Sequence, residues 1–280
     1  MTLVIKMGGA AGVATARVLD EVARYLAEAE DGRRVVLVHG GSELTDELSA
    51  QLGHEVRTLI SPGGMTSRYT DHETLRIYAM AVAGQINTEV VAHLQDRGID
   101  ALGLAGVDGR LLLARRKAAI RALTPDGRVR IVRDDYTGQL EQVNVRLLHT
   151  LLDAGYLPVI APLALSREGE RLNVDGDRVA ATIAMALGAQ ELVIVTSVPG
   201  LLRDPGDPST LVQRIEAAQL DDSTACAQGR MRTKILAARQ ALAGGVQRIH
   251  IGNAPLSEIL NGSGTTIEAL AVSLAPDREE

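Results

Sequence analysis

The chain has 280 residues, 46% hydrophobic and 23% charged, enough to bury a full core as one large α/β domain or two lobes. Aromatic residues make up 2%, with no Trp or Phe, and the formal net charge is −6; these values argue against base-stacking platforms and against attraction to nucleic acid or an anionic membrane. The lone Cys226 excludes an internal disulfide and a cysteine-built metal cluster, and with no signal peptide before the first strand and no apolar run of membrane-spanning length a cytoplasmic protein is expected.

Leu3-Val4-Ile5-Lys6-Met7 reads as a buried strand that ends in a lysine and the pair Gly8-Gly9, followed by helical periodicity from Thr15 to Ala29. Strand, glycine turn and helix start are the parts of an anion site built from backbone N–H groups. The pattern recurs at Val35 to Val38, His39, Gly40, Gly41 and a helix from Glu43 to Leu52. A Gly/Ser/Thr loop, Ser61 to Asp71, leads into helices at Glu73–Gly84 and Asn87–Arg97 and a strand at Ala101–Gly106. Leu111–Arg115, Ile120–Leu123 and Val129–Val132, with a Thr124-Pro125-Asp126-Gly127 turn, predict an antiparallel excursion. Alternation then resumes: helix Val143–Ala154, strand Leu157–Ala161, an Asp-capped helix Val174–Leu187 and strand Glu191–Val195. A helix from Gly229 to Leu242, a strand at Arg248–Ile251 and a polar tail close the chain. The pattern predicts a mainly parallel sheet with helices on both faces and ligands at the carboxyl ends of the strands.

Common nucleotide signatures are missing: there is no G-x-x-x-x-G-K-[ST], no protein-kinase catalytic loop and no G-x-G-x-x-G. Lys6, at the end of an apolar strand, needs a partner or ligand unless it is a surface lysine at a sheet edge. Gly40 and Gly41 suit a ligand cradle or an ordinary tight turn. Arg68 can grip a carboxylate with two parallel bonds or stand solvated in its loop. Asp175 and Asp177 can cap a helix or orient lysines around a phosphate. Arg230, Arg232 and Lys234 oppose the macrodipole at a helix start and invite an anion, with a solvated basic turn as the alternative. His39, His54, His72, His93, His149 and His250 show no ligand spacing; His39 reads as a packed strand-end residue and Cys226 as inert.

Together these segments resemble the amino acid kinase family, and within it the acetylglutamate kinase group. The motifs are Lys6-Met7-Gly8-Gly9, His39-Gly40-Gly41, Arg68-Tyr69-Thr70-Asp71, Asn173-Val174-Asp175-Gly176-Asp177, Thr196-Ser197-Val198-Pro199-Gly200-Leu201 and Gly229-Arg230-Met231-Arg232-Thr233-Lys234. The resemblance implies an α/β fold, an open three-layer αβα sandwich like that of carbamate kinase. Residues 1–180 would bind the acceptor, 181–270 would bind ATP with Mg²⁺, and 271–280 would be a loose tail. It implies that Lys6 and Lys234 neutralise the moving phosphoryl group while Asp177 holds both. It places Gly40, Gly41, Arg68 and Asn173 at the acceptor, and Gly8, Gly9, Thr196, Ser197, Val198, Leu201, Gly229 and Met231 at the nucleotide, with no protein metal site.

Departures from the free acetylglutamate kinases narrow the resemblance. Ser42 stands where they carry a third glycine, Thr66-Ser67 where they have Gly-Leu, and Asp175 where they usually have Asn. These, with Asp108-Gly109-Arg110 and Arg115-Arg116-Lys117, are closer to the lysine-biosynthesis branch, which phosphorylates aminoadipate attached to the small acidic carrier protein LysW. Residues 115–133 hold seven basic residues against one acid, Asp126; such a surface steers an acidic carrier, although a solvated hairpin has the same composition. Starting at the first strand, without the extra helix of hexameric relatives, the chain is expected to form a homodimer. Three functions stay open: a kinase for carrier-linked 2-aminoadipate, a kinase for free N-acetylglutamate in arginine biosynthesis, and a non-catalytic nucleotide-binding sensor.

Overall fold

In a computed structural model of the protein, residues 1–9, 13–28, 32–220, 227 and 229–269 are described. Cys226 and the expected tail, 271–280, lie outside them. The strands are β1 (Thr2–Met7), β2 (Arg34–His39), β3 (Thr58–Ile60), β4 (Thr66–Arg68), β5 (Ala101–Ala105), β6 (Leu112–Arg116), β7 (Ile120–Leu123), β8 (Val129–Val132), β9 (Gly138–Val143), β10 (Leu157–Ala161), β11 (Leu163–Leu165), β12 (Arg171–Asn173), β13 (Glu191–Val195), β14 (Arg214–Glu216), β15 (Arg248–Gly252) and β16 (Thr265–Glu268). The α-helices are α1 (Thr15–Ala27), α2 (Ser42–Gln51), α3 (His72–Ala79), α4 (Asn87–Asp96), α5 (Val145–Asp153), α6 (Gly176–Ala186), α7 (Gly229–Ala243) and α8 (Leu256–Leu260).

Eight strands form the central sheet in the order β14-β16-β15-β13-β1-β2-β10-β5, parallel except where β16 runs against β15. Its inner strands are apolar on both faces, as a sheet covered on both sides requires. Val4, Val36, Ile160, Leu192 and Ile194 pack with Leu148 of α5, Val179 and Ile183 of α6 and Ile235 of α7. Leu3, Ile5, Leu37 and Val193 face the other way, toward Val18 and Val22 of α1, Val90 and Leu94 of α4 and Ile259 of α8. The expected αβα sandwich is therefore present, with Lys6 on the Val4 side of β1, facing α6.

The excursion is larger than the sequence indicated. β6 pairs with β9 and β11, β11 with β12, and β7 with β8 form a separate hairpin. Part of the loop before Arg68 is also a hairpin, β3–β4, closed by Ser61 N–H donating to Met65 O at 2.8 Å. The two helices expected between residues 73 and 97 join through a π-helical turn, Met80–Ile86, that carries α3 directly into α4. Among the described residues no helix is long and apolar enough to cross a membrane.

Candidate active site

The parallel pairing of β1 with β2 aligns Lys6 with Val38 and Met7 with His39, so the two glycine turns emerge side by side. They touch. A Cβ on Gly9 would lie 2.0 Å from the nitrogen of Gly41, and one on Gly40 would lie 2.5 Å from the nitrogen of Gly9. No residue with a side chain fits at either position, so the close approach of the two turns itself requires the glycines. Gly8 donates its N–H to Val195 O and Gly40 to Met7 O, both at 3.0 Å. The N–H groups of Gly9, Gly41 and Ser42 find no acceptor among the described residues. The cradle is thus Gly9, Gly41 and Ser42, whereas Gly40 lines it without a free donor. Ser42 Oγ donates to Gly9 O at 2.7 Å and ties the two turns together.

Above the cradle lies a cavity of about 420 Å³. Lys6 Nζ is 2.9 Å from Asp177 Oδ1 and Lys234 Nζ is 2.9 Å from Asp177 Oδ2. One carboxylate therefore holds two ammonium groups, one from β1 and one from α7. All three residues are buried. Burial alone would raise Asp177, but the two lysines outweigh it and hold the carboxyl at about 2. Burial pushes Lys234 down from its ordinary value, with Asp177 opposing. The triad carries one net positive charge facing the cavity. Asp175, capping α6 through Arg178 N–H at 2.9 Å, also faces it. Its carboxyl is open to the cavity yet ringed by protein, and desolvation together with the Asp177 charge raises it.

Arg68, Asn173, Thr196, Ser197, Val198 and Met231 line the same space as Lys6, Gly8, Gly9, Gly40, Gly41, Asp177 and Lys234. Arg68 reaches Ser42 O at 3.1 Å and pairs with Asp46. Asn173 Nδ2 donates to Thr70 Oγ1 at 3.0 Å, and Thr70 N–H donates to buried Asp135 at 2.9 Å. Two motifs more than a hundred residues apart meet there. Arg230 Nη1 donates to Ser42 Oγ at 3.4 Å, linking α7 to α2 across the cavity. Leu201 and Gly229 do not line it: Leu201 is in the core with its N–H on Thr265 Oγ1, and Gly229 opens α7 at φ +51°.

The three basic residues Arg115, Arg116 and Lys117 lie apart from the cavity, on and just after β6. Arg115 pairs with Glu141 at 3.0 Å and Arg116 with Glu170 at 2.8 Å, while the Arg116 guanidinium stacks 3.9 Å from the centre of the Tyr136 ring. Sequence reasoning missed Tyr78 and Pro162 in the cavity wall. Tyr78 is buried on α3 with its hydroxyl donating to Pro162 O at 3.2 Å, and nothing in the linear pattern separates it from a core residue.

The amino acid kinase family matches residues 1–253. The chain belongs to this family. A [LysW]-aminoadipate kinase of Thermus thermophilus is 43% identical over 95% of this chain and 99% of its own length. An acetylglutamate kinase of Methanopyrus kandleri is 38% identical over 94% of this chain and 99% of its own. Among solved structures, carbamate kinase from Giardia lamblia bound to AMP-PNP superimposes with a TM-score of 0.69 at 16% identity, over 96% of this chain and 98% of that one, and shares the fold. Within this amino acid kinase the Lys6–Asp177–Lys234 triad spans both halves of the sheet, since β1 abuts β13.

Proposed function

We propose that this protein transfers the γ-phosphoryl group of ATP to the side-chain carboxylate of L-2-aminoadipate carried on a small acidic carrier protein of the LysW type, forming an acyl phosphate in lysine biosynthesis. The triad carries this reading: two ammonium groups share one carboxylate beside a cradle of three unpaired N–H groups. The [LysW]-aminoadipate kinase relative supports the acceptor.

A carboxylate acceptor is already ionised at neutral pH, so no general base is needed and catalysis is positioning plus charge stabilisation. One acceptor oxygen forms a bond to the γ-phosphorus as the bond to the bridging oxygen breaks and ADP leaves. Lys6 and Lys234 take up the charge on the moving group and on the leaving oxygen. Asp177 holds the two ammonium groups so that they need not reorganise during transfer. The Gly9, Gly41 and Ser42 N–H groups point at the phosphoryl oxygens, and Arg68 and Asn173 orient the acceptor. Thr196, Ser197, Val198 and Met231 shape the nucleotide side, backed by Leu201 and Gly229. Residues 1–180 thus serve the acceptor and 181–270 the nucleotide. Mg²⁺ would enter with ATP, held largely by phosphate and water, and would neutralise triphosphate charge.

The carrier would dock on the basic excursion. Arg115 and Arg116 are partly met by Glu141 and Glu170, so the surface extends over Lys117 and the β7–β8 hairpin with Arg121, Arg128 and Arg130, all four exposed. A cytoplasmic homodimer completes the proposal, and light scattering tests the dimer. The Methanopyrus relative favours a second reading, phosphorylation of free N-acetylglutamate. A coupled ADP-release assay on both acceptors decides. Turnover of N-acetylglutamate equal to or above that of carrier-linked aminoadipate would overturn the first reading, and ATP binding without turnover on either would leave a nucleotide sensor.

A further inference from the structure

We infer that His39 is a positioning residue of the transfer site: its imidazole holds the Gly40 carbonyl on the far side of the cradle and so keeps the Gly41 N–H turned into the cavity. The inference rests on the kinase reading and deepens it. The Gly40–Gly41 peptide has a glycine on each side, so sterics offer little resistance to its flipping. A donor that must be in place before the phosphoryl group arrives therefore needs an outside clamp.

His39 Nδ1 lies 3.0 Å from Gly40 O. Asn87 Nδ2 lies 3.1 Å from His39 Nε2 and 3.0 Å from Val159 O. The Val159 carbonyl can only accept, so Asn87 turns its NH₂ toward it, and the second hydrogen of the same nitrogen meets Nε2. Nε2 is then the acceptor, the ring proton sits on Nδ1, and Nδ1–H donates to Gly40 O. In a trans peptide the C=O and N–H point in opposite directions, so fixing one fixes the other. A second cavity of about 390 Å³ behind the cradle is lined by His39, Gly40 and Gly41, whereas only the two glycines line the triad cavity. The ring therefore pulls from behind, and the Gly41 N–H faces the triad.

The chain makes room for this clamp. Asn87 is the residue directly after the π-helical turn, and the extra residue of that turn sets its direction. On β5, a Cβ at Gly103 would lie 2.1 Å from Asn87 Oδ1. The charged and titratable groups around the ring are Lys6 on β1, Glu43 on α2 and Glu89 and His93 on α4. Burial, against a smaller opposing effect of the Gly40 bond, lowers His39 to about 4 and keeps the imidazole neutral.

Two substitutions separate a clamp from a packing role. His39→Gln places an acceptor where Nε2 lies, keeps the Asn87 bond and matches the ring better in size, but has no donor at the Nδ1 position. His39→Asn keeps an N–H at that position and loses Asn87. With folding checked by circular dichroism, His39→Gln should lower kcat by at least about tenfold with each KM within about twofold, while His39→Asn stays within about threefold of the parent kcat. A glutamine variant as active as the asparagine variant, or more so, overturns the inference. In the unliganded parent protein, ¹⁵N NMR of the His39 ring from about pH 5.5 to 8 should show the proton on Nδ1 alone, and a proton on Nε2 overturns the inference without any turnover measurement. Absence of turnover by the parent protein on both acceptors would instead overturn the kinase reading, with the ring spectrum still deciding the clamp.

Discussion

Asp177→Asn is the most informative single change. Lys6, Lys234 and Asp177 side chains are 8%, 9% and 7% exposed, and each ammonium lies 2.9 Å from one carboxylate oxygen. At an effective dielectric of about 20 each contact amounts to about 6 kcal/mol of attraction before desolvation and lysine–lysine repulsion are subtracted. The amide leaves two buried cations without an anion, which costs about 3–5 kcal/mol net, against a total stability of about 5–15 kcal/mol for a protein domain. Without its anion Lys234, already lowered by burial, falls further below its unfolded value, so the folded variant binds fewer protons than the unfolded chain. Its stability therefore rises with pH toward about 10.4, and the deficit from the parent narrows between neutral and alkaline pH.

The kinetic signature runs the other way from the binding signature. Loss of lysine positioning should lower kcat by about 10²–10³-fold. ATP affinity, read by isothermal titration calorimetry, should hold or increase, because the cavity gains positive charge. Urea melts at two pH values and a coupled ADP-release assay measure both halves. A parallel loss of ATP affinity and kcat, or a deficit in stability that is the same at neutral and alkaline pH, would refute the assignment of Asp177 as the holder of two charged lysines.

Lys6→Ala and Lys234→Ala should each lower kcat by about 10²–10³-fold and weaken ATP binding by much less; equal losses would mean that the lysines bind the ground state instead. Burial holds both His39 and His250 at about 4 in the folded protein, so stability they contribute is fully present above the unfolded value near 6.5 and is lost as pH falls toward 4, by roughly 3 kcal/mol per histidine. A flat urea midpoint over that window would refute it; Asp177, at about 2, adds its own loss only below the ordinary carboxylate range. Arg115→Glu combined with Lys117→Glu should raise the KM for the carrier-linked acceptor and flatten its salt dependence with kcat unchanged, and an unaltered KM would place docking elsewhere.

Long periodic segments and glycine-terminated strands made the sheet and the layers readable from sequence, since both faces of β1, β2 and β13 are apolar. Short elements were not: β3, β4, β11 and β12 are three residues each, too short for alternation to declare itself. The π turn was hidden as well, because an inserted helical residue leaves no mark on composition. At the site, Lys6 stood out as a charge at the end of an apolar strand and Lys234 as one of several cations at a helix start, whereas only the resemblance to the family separated Asp177 from an ordinary helix cap. The exchange of donors in the cradle was not, because whether Gly40 or Ser42 has a spare N–H depends on strand register. Likewise Asp46 beside Arg68, and Asn87 behind His39, are partners that only the packing of α2 and α4 supplies.

The sheet order explains why the chemistry sits where it does. From β1 the chain builds outward to β2, β10 and β5 on one side, while β13, β15, β16 and β14 fill the other. The reversal falls between β1 and β13, and crevices at the carboxyl ends of parallel strands open at such reversals. Lys6 lies one residue before the end of β1 and pairs in register with Ile194 of β13 and Val38 of β2. It therefore stands at the boundary of both halves. Asp177 enters from the first turn of α6, which packs over β1, and Lys234 from α7, which packs against α6. α6 packs against both β1 and α7, so Asp177 holds Lys6 and Lys234 from between them. The carboxylate thus ties the placement of one lysine, on β1, to that of the other, on α7.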